Sequence, residues 1–147
     1  MSVLSDSTEK QVEHLLVQNG LLTSEQLENF RKQASRTKTP LFALLVKDQH
    51  VSDEQLTKMM AKATNTPYVN LSSAIIQPNT LALLPRETAE LYMAVPIGDM
   101  ENRLVVAMLD ADNVQAADFL AKKIGRPIKL YTASESGIRQ VLRQYSG

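Results

Sequence analysis

The chain has 147 residues, 44% of them apolar, and its sixteen Lys and Arg balance sixteen Asp and Glu for zero formal net charge. That length suits one domain or two small packed lobes. The charges divide evenly, eight of each sign in residues 1–64 and eight in 65–147, which excludes the basic excess of a nucleic-acid binder. The absence of cysteine and the presence of only two histidines, His14 and His50, exclude disulfides, thiolate chemistry, cysteine-ligated metals and a histidine-rich metal site.

The chain opens on Met1–Lys10, a polar segment with Asp6 and Glu9 that is unlike a signal peptide. No apolar run approaches the ~18 residues that span a bilayer, so the expected setting is soluble and cytoplasmic. Thr8–Asn19 carries Val12, Leu15 and Leu16 at helical spacing, and Gly20 follows as a left-handed cap. Thr23-Ser24-Glu25-Gln26 has the form of a capping box and opens a second helix to about Ala34. Ser35–Lys38 reads as a loop. Thr39 and Pro40 fit the N-cap and N1 of a third helix, Leu41–Lys47. Ser52 to Gln55 repeats the capping box and opens a fourth helix to about Thr64.

These helices form a tandem repeat. Leu15-Leu16-Val17 recurs as Leu44-Leu45-Val46, Leu22-Thr23 as Val51-Ser52, Glu25-Gln26-Leu27 as Glu54-Gln55-Leu56, and Ala34 as Ala63. Every pair is offset by 29 residues. One helix–turn–helix unit cannot bury its own apolar face, so the two units are expected to pack together.

Composition shifts after Asn65-Thr66-Pro67. Tyr68–Leu71 reads as a short strand, Leu81–Leu84 as a short helix stopped by Pro85, and Arg86–Leu91 as another helix. Met93–Ile97 is an expected strand whose Pro96 calls for an edge or a bulge. A loop over Gly98–Asn102 joins it in a hairpin to the buried strand Arg103–Leu109. A helix from Asn113 to Ile124, capped by Asp110 or Asp112 and ended by Gly125, precedes a strand over Pro127–Thr132. Ser134 caps a last helix to about Tyr145. The expected fold class is α+β: a four-helix repeat lobe, 1–64, followed by a small α/β lobe with a mixed sheet, 65–147.

The residue types leave little room for catalysis. None of Gly20, Gly98, Gly125, Gly137 and Gly147 belongs to a glycine-rich phosphate loop, so no nucleotide hydrolysis is expected. Asp110 and Asp112 suit helix capping better than a metal or acid–base pair. His14 reads as a helix-surface residue and His50 as a solvated loop residue, each in preference to a ligand. Met59 and Met60 read as core before adaptable binding surface. Lys122, Lys123 and Arg126 suit the carboxy-terminal end of a helix dipole better than an anion site.

Taken together, the repeat and the second lobe resemble the amino-terminal domain of the assembly ATPases of bacterial type II secretion systems and type IV pili. The resemblance rests on the run from Leu15 to Leu27 with its echo 29 residues later, on Pro67–Leu71, on Leu83-Leu84-Pro85 and on Ala94–Ile97. It continues through Arg103–Met108 with Asp110, Gly125 before a strand, and Ile138 to Tyr145-Ser146-Gly147.

The resemblance implies that the chain docks onto cytoplasmic segments of inner-membrane secretion or pilus proteins. It implies an ATPase motor domain in the same or another chain, with neither nucleic acid nor direct membrane insertion involved. A free-standing adaptor is the further alternative. In some members the tandem motif binds cyclic di-GMP through an Arg-Leu-Gly start, a later Gly and a closing Gln in each repeat. Here the first motif reads Gln11-Val12-Glu13, with Leu16, Gly20, Leu27 and Gln33 at its later positions. The second reads Pro40-Leu41-Phe42, with Leu45, Gln49, Leu56 and a closing Lys62. Gln and Pro cannot replace the planar charged fork of Arg. Glu13 and Phe42 add bulk where Gly would let a ligand approach the backbone, and Glu13 adds negative charge. The expectation is a retained scaffold with a degenerate nucleotide site and no cofactor, with cyclic di-GMP sensing as the alternative.

Overall fold

The structure is a computed structural model that describes residues 6–145; Met1–Ser5 of the polar opening segment and Ser146-Gly147 of the family resemblance lie outside the described residues. Four helices come first: α1 (Asp6–Gln18), α2 (Ser24–Thr37), α3 (Leu41–Lys47) and α4 (Asp53–Thr64). Both capping boxes are formed. Thr23 Oγ1 accepts from the Gln26 amide at 3.0 Å while Gln26 Oε1 accepts from the Thr23 amide at 2.9 Å. Ser52 and Gln55 repeat the exchange at 3.0 Å in both directions.

The turns repeat as faithfully. Gly20 N donates to Val17 O and Leu21 N to Leu16 O, as Gln49 N donates to Val46 O and His50 N to Leu45 O. The two units exchange partners: α1 packs on α4 and α2 on α3. Their shared core contains Val12, Leu16, Leu22, Leu27, Leu45, Val51, Leu56, Met59 and Met60.

Two boundaries differ from the sequence reading. The Ser35–Lys38 loop is helical through Thr37, and Lys38 ends α2 in a left-handed conformation. Thr37 Oγ1 donates to Gln33 O, tying the polar stretch into the helix. The N-cap of α3 is Pro40, with no side-chain cap bond, so Thr39 is not the cap; its hydroxyl instead meets Thr37.

The sheet-containing part follows: α5 (Pro78–Leu81), α6 (Arg86–Tyr92), β1 (Ala94–Met100), β2 (Arg103–Met108), α7 (Val114–Ile124), β3 (Ile128–Thr132) and α8 (Glu135–Leu142). The sheet order is β1-β2-β3, with β1 antiparallel and β3 parallel to β2, so the mixed sheet is present. Pro96 occupies both sites expected for it: β1 is an edge strand, and the register shifts between Pro96 and Gly98, leaving Ile97 as the extra residue. β1 continues to Met100, so the Gly98–Asn102 loop shrinks to a tight turn. Glu101 and Asn102 both take positive φ, 48° and 55°, the backbone of a two-residue hairpin turn.

Tyr68–Leu71 is not a strand. Only Tyr68 bridges Thr132, in parallel, because Asn70 Oδ1 accepts from the Ser72 amide at 2.9 Å and turns the chain away. Gln140 of α8 and Gln144 just past it then hold the irregular segment: Gln140 Nε2 donates to Leu71 O and Ala74 O, and Gln144 Nε2 to Ala74 O. The short helix starts at Pro78, not at Leu81, since Pro at N1 favours initiation there. The cap of α7 is Asn113, whose Oδ1 accepts from the Ala116 amide at 3.1 Å; neither Asp110 nor Asp112 fills that place. Ser134 caps α8 as expected, accepting from Gly137 N at 3.0 Å, but α8 ends at Leu142.

A second core lies around the sheet, with Leu84, Leu104, Val106, Met108, Leu120 and Ile138 at its centre. Leu109, just past β2, packs against the helical core as well. Polar contacts also cross between the two parts: Thr8 Oγ1 donates to Asp112 Oδ2 at 2.8 Å, and Ser136 Oγ to Asp53 Oδ2 at 2.7 Å. Lys58 Nζ sits 5.6 Å from the centre of the Tyr68 ring. Among the described residues, no helix is long and apolar enough to cross a membrane.

Candidate docking and ligand-recognition surface

The nine positions singled out by the tandem motif separate into two groups. Leu16, Leu27, Leu45 and Leu56 are buried in the helical core. Truncating such a residue to Ala costs ~2–5 kcal/mol, so packing alone accounts for them. Leu41 and Gln33 are half-buried, while Gln11, Gly20 and Gln49 are exposed. Of the nine, Leu56 lines the cleft described below.

The grooves between the two helices of each unit show what became of the motif. In the first unit Glu13 of α1 pairs with Arg31 of α2. The Glu13 side chain is only 13% exposed and that of Arg31 48%. The position that a Gly would leave open is filled, and its charge is neutralised from inside the domain. The residues 29 positions later are Phe42 and Met60. Both line a cleft of about 660 Å³ built also from Val46 and Lys47 of α3, Leu56 of α4, Leu109, and Ser136 and Arg139 of α8. The first unit holds an ion pair at these positions; their counterparts in the second line an apolar, open cleft.

The remaining candidates fall into place by burial and bonding. His14 is exposed on α1. His50 is not a solvated loop residue: it is half-buried, its ring edge-on to Phe30 with centroids 5.2 Å apart. Met59 and Met60 are both buried. Lys122 and Lys123 lie in the last turn of α7, and Arg126 pairs with Asp99 near the tip of the hairpin. Asp110 is 5% exposed, its Oδ1 accepting from the Asp112 amide at 3.1 Å, and burial pushes its carboxyl above the usual range. Among the described residues no group of three or more His, Asp or Glu is placed to hold a metal ion. Sequence reasoning missed Arg31, Leu109 and Arg139. The 29-residue offset from Arg31 to Met60 was the available signal for the first; the other two are joined to the helices only by tertiary packing.

The family model of the MshEN domain matches residues 64–147, more than half of the chain. The chain belongs to the MshEN domain family. Over 131 residues this MshEN chain is 31% identical to the type IV pilus assembly ATPase PilB of Myxococcus xanthus. Over 131 residues it is 27% identical to the PilB of Thermus thermophilus. These alignments take in 89% and 88% of the chain but only 23% and 14% of the relatives. Among solved structures, MshE with cdg (cyclic di-GMP) superposes with a TM-score of 0.75 at 25% identity, covering 92% of this chain and 98% of that one. The N-terminal domain of XpsE gives a TM-score of 0.66 at 20% identity with full coverage of both chains, a likeness of fold. The resemblance to amino-terminal domains of pilus and secretion ATPases, first read from the repeat, holds, as does the α+β class.

Proposed function

We propose that this MshEN chain is a non-catalytic docking and regulatory domain of a type II secretion or type IV pilus assembly ATPase. It binds cytoplasmic segments of inner-membrane machinery proteins and acts by contact, not by chemistry. The observation that carries this reading is the contrast between frame and contacts. The capping boxes and turn hydrogen bonds repeat bond for bond at the 29-residue offset. The positions that would meet a dinucleotide hold Gln11, Glu13, Pro40 and Phe42, and Glu13 is already paired with Arg31. A scaffold kept without its ligand contacts is suited to presenting a surface.

In this reading residues 1–64 form a helical unit and 65–147 a sheet unit. The motor domain belongs to the same or a separate polypeptide. The chain works in the cytoplasm and is drawn to the inner membrane by its partners. Capture of detergent-solubilised membrane proteins with the folded chain as bait tests the reading. Retention of an inner-membrane pilus or secretion protein through its cytoplasmic segment is the expected outcome, and retention of none overturns it.

The second reading, a cyclic di-GMP sensor, is favoured by the likeness to MshE with cdg. Isothermal titration separates the two. Submicromolar binding of cyclic di-GMP establishes the sensor, and no heat at high ligand concentration leaves the docking reading in place.

A further inference from the structure

The outer edge of β3 is left unused by both readings. Leu104 N donates to Pro127 O and Ala133 N to Met108 O. Backbone groups alternate sides along a parallel ladder. Lys129 and Tyr131 therefore also turn theirs toward β2, while Ile128, Leu130 and Thr132 turn theirs outward. Thr132 is satisfied: its N–H donates to Pro67 O at 2.8 Å and its O accepts from Val69 N at 3.0 Å. Pro67 has no N–H to carry that pairing back to Leu130 O, and Asn65 closes α4 in a left-handed conformation instead of extending. Among the described residues nothing pairs with the outward N–H and C=O of Ile128 and Leu130. An unpaired strand edge is a template for a further strand.

The charges around this edge narrow the class of partner. Lys129 stands between the two open positions, and Lys122 and Lys123 lie in the last turn of α7, which leads into β3. Lys62 lies in the last turn of α4, which packs on β3. None of these lysines has an ion-pair partner among the described residues. With Arg103 and Arg126 they make six cations at this end of the sheet, against the three acids Asp99, Glu101 and Asp118. Glu54, near Tyr68 at the far end of β3, is paired with Lys58. The roughly half charge at each of the two helix ends offsets part of the excess and leaves about two positive charges. A basic strand is repelled from such an edge and an acidic one is drawn to it. We propose that β3 accepts a short extended segment of a partner protein, about five residues long, as a fourth strand. Its acidic side chains lie on the Lys129 face of the sheet, and the alternate, apolar ones on the face of Ile128 and Leu130, which pack against the sheet core. Which pilus or secretion protein supplies the segment rests on the docking reading. A peptide titration reads the edge itself, so each can fail without the other.

Amide exchange of the isotope-labelled chain, alone and with the capped peptide Glu-Val-Glu-Val-Glu, tests this. In the free chain the Ile128 and Leu130 amides should exchange fast while those of Lys129 and Tyr131 are protected. The peptide should shift the β3 amides saturably and, at saturation, slow exchange at Ile128 and Leu130 by about fivefold or more. A peptide with lysine in place of glutamate should bind about tenfold more weakly or worse. Acidic peptides with alternate backbone amides N-methylated, made in both registers, keep the charge but remove the ladder bonds, and one register should bind about fivefold more weakly. Joint Lys122→Gln and Lys123→Gln substitution, at exposed positions, should weaken the acidic peptide about threefold. Protected Ile128 and Leu130 amides in the free chain, absence of saturable shifts or shifts centred elsewhere would each overturn the proposal. So would equal binding of the lysine peptide or of both N-methylated peptides, unaltered affinity in the double variant, or the same protection from heparin, a polyanion with no strand to add.

Discussion

Gln49 holds, at a φ of 59°, the left-handed turn position that Gly20 holds at 75° in the first helical unit. The surrounding hydrogen bonds are the same in both turns, so the second unit carries the strain of an L-residue where the first carries none. A Cβ at Gly20 would meet nothing within 4 Å, which leaves backbone conformation as the only difference. Gln49→Gly should therefore raise the unfolding free energy by about 0.5–1 kcal/mol, and Gly20→Ala should lower it by about 1 kcal/mol. Urea denaturation of the two variants checks both signs; equal and opposite changes of the wrong sign would refute the equivalence of the turns.

The Glu13–Arg31 pair is half-exposed on its arginine side, so its worth is modest. A double-mutant cycle with Glu13→Gln and Arg31→Met should give a coupling of about 0.5–1 kcal/mol. The coupling should shrink as salt is raised. A coupling of zero at low salt would mean that the first groove is not closed by this pair.

Gly137, in the first turn of α8, is there for closeness. A Cβ at this position would stand 3.1 Å from Leu71 Cβ and 3.1 Å from Ser134 Oγ. Leu71 is 2% exposed and its carbonyl is held by Gln140, so it cannot retreat freely. Gly→Ala within an exposed helix gains about 1 kcal/mol; here that gain should be cancelled and reversed to a net loss of about 1 kcal/mol. Calorimetry showing a higher melting temperature for Gly137→Ala would contradict the packing argument.

Half-buried Tyr145 and buried Asp110 set opposite ends of the pH profile. Tyr145 donates its hydroxyl to Leu84 O at 2.9 Å, and burial pushes its pKa up to about 12. Its folded pKa lies above the unfolded value near 10, so the stability it lends is complete below pH ~10 and is lost as pH rises through ~12. Tyr145→Phe should flatten that decline, though not abolish it, because burial, then Glu54 and Asp53, raise Tyr68 in the same direction.

Asp110 is shifted upward as well, burial being the first cause. Its contribution is present in acid and is lost as pH rises through its raised folded pKa. Asp110→Asn keeps the acceptor for the Asp112 amide and should raise the melting temperature at pH ~7 but not at pH ~3. An equal shift at both pH values would show that the carboxyl charge is not the cause.

The starts of helices with complete local signals were legible in the sequence. The capping boxes at Thr23 and Ser52 and the cap at Ser134 place α2, α4 and α8 because the bonds that start a helix lie within four residues of one another. Tyr68–Leu71 failed for the complementary reason: its apolar residues suit a strand, but strand formation needs a neighbour, and the Asn70–Ser72 turn removes the segment from Thr132 after one bridge. Asp110, Asp112 and Asn113 all carry side chains able to cap, and the sequence reading weighed only the two aspartates. Only the path of the chain leaving β2 selected Asn113, leaving Asp110 buried and Asp112 to receive Thr8.

The sequence by itself determined the 29-residue repeat and the helix caps at Thr23, Ser52 and Ser134, because these depend on periodicity and on contacts between near neighbours, and its resemblance pointed to the family. It also showed that the ligand positions of the motif had changed to Gln11, Glu13, Pro40 and Phe42. Tertiary structure alone decided what those changes do. Glu13 finds Arg31 eighteen residues away, while Phe42 and Met60 face Leu109 and α8 across a cleft. The second unit differs from the first because Leu109 and α8 border its cleft, and no local pattern records which face of a helix another part of the chain will cover.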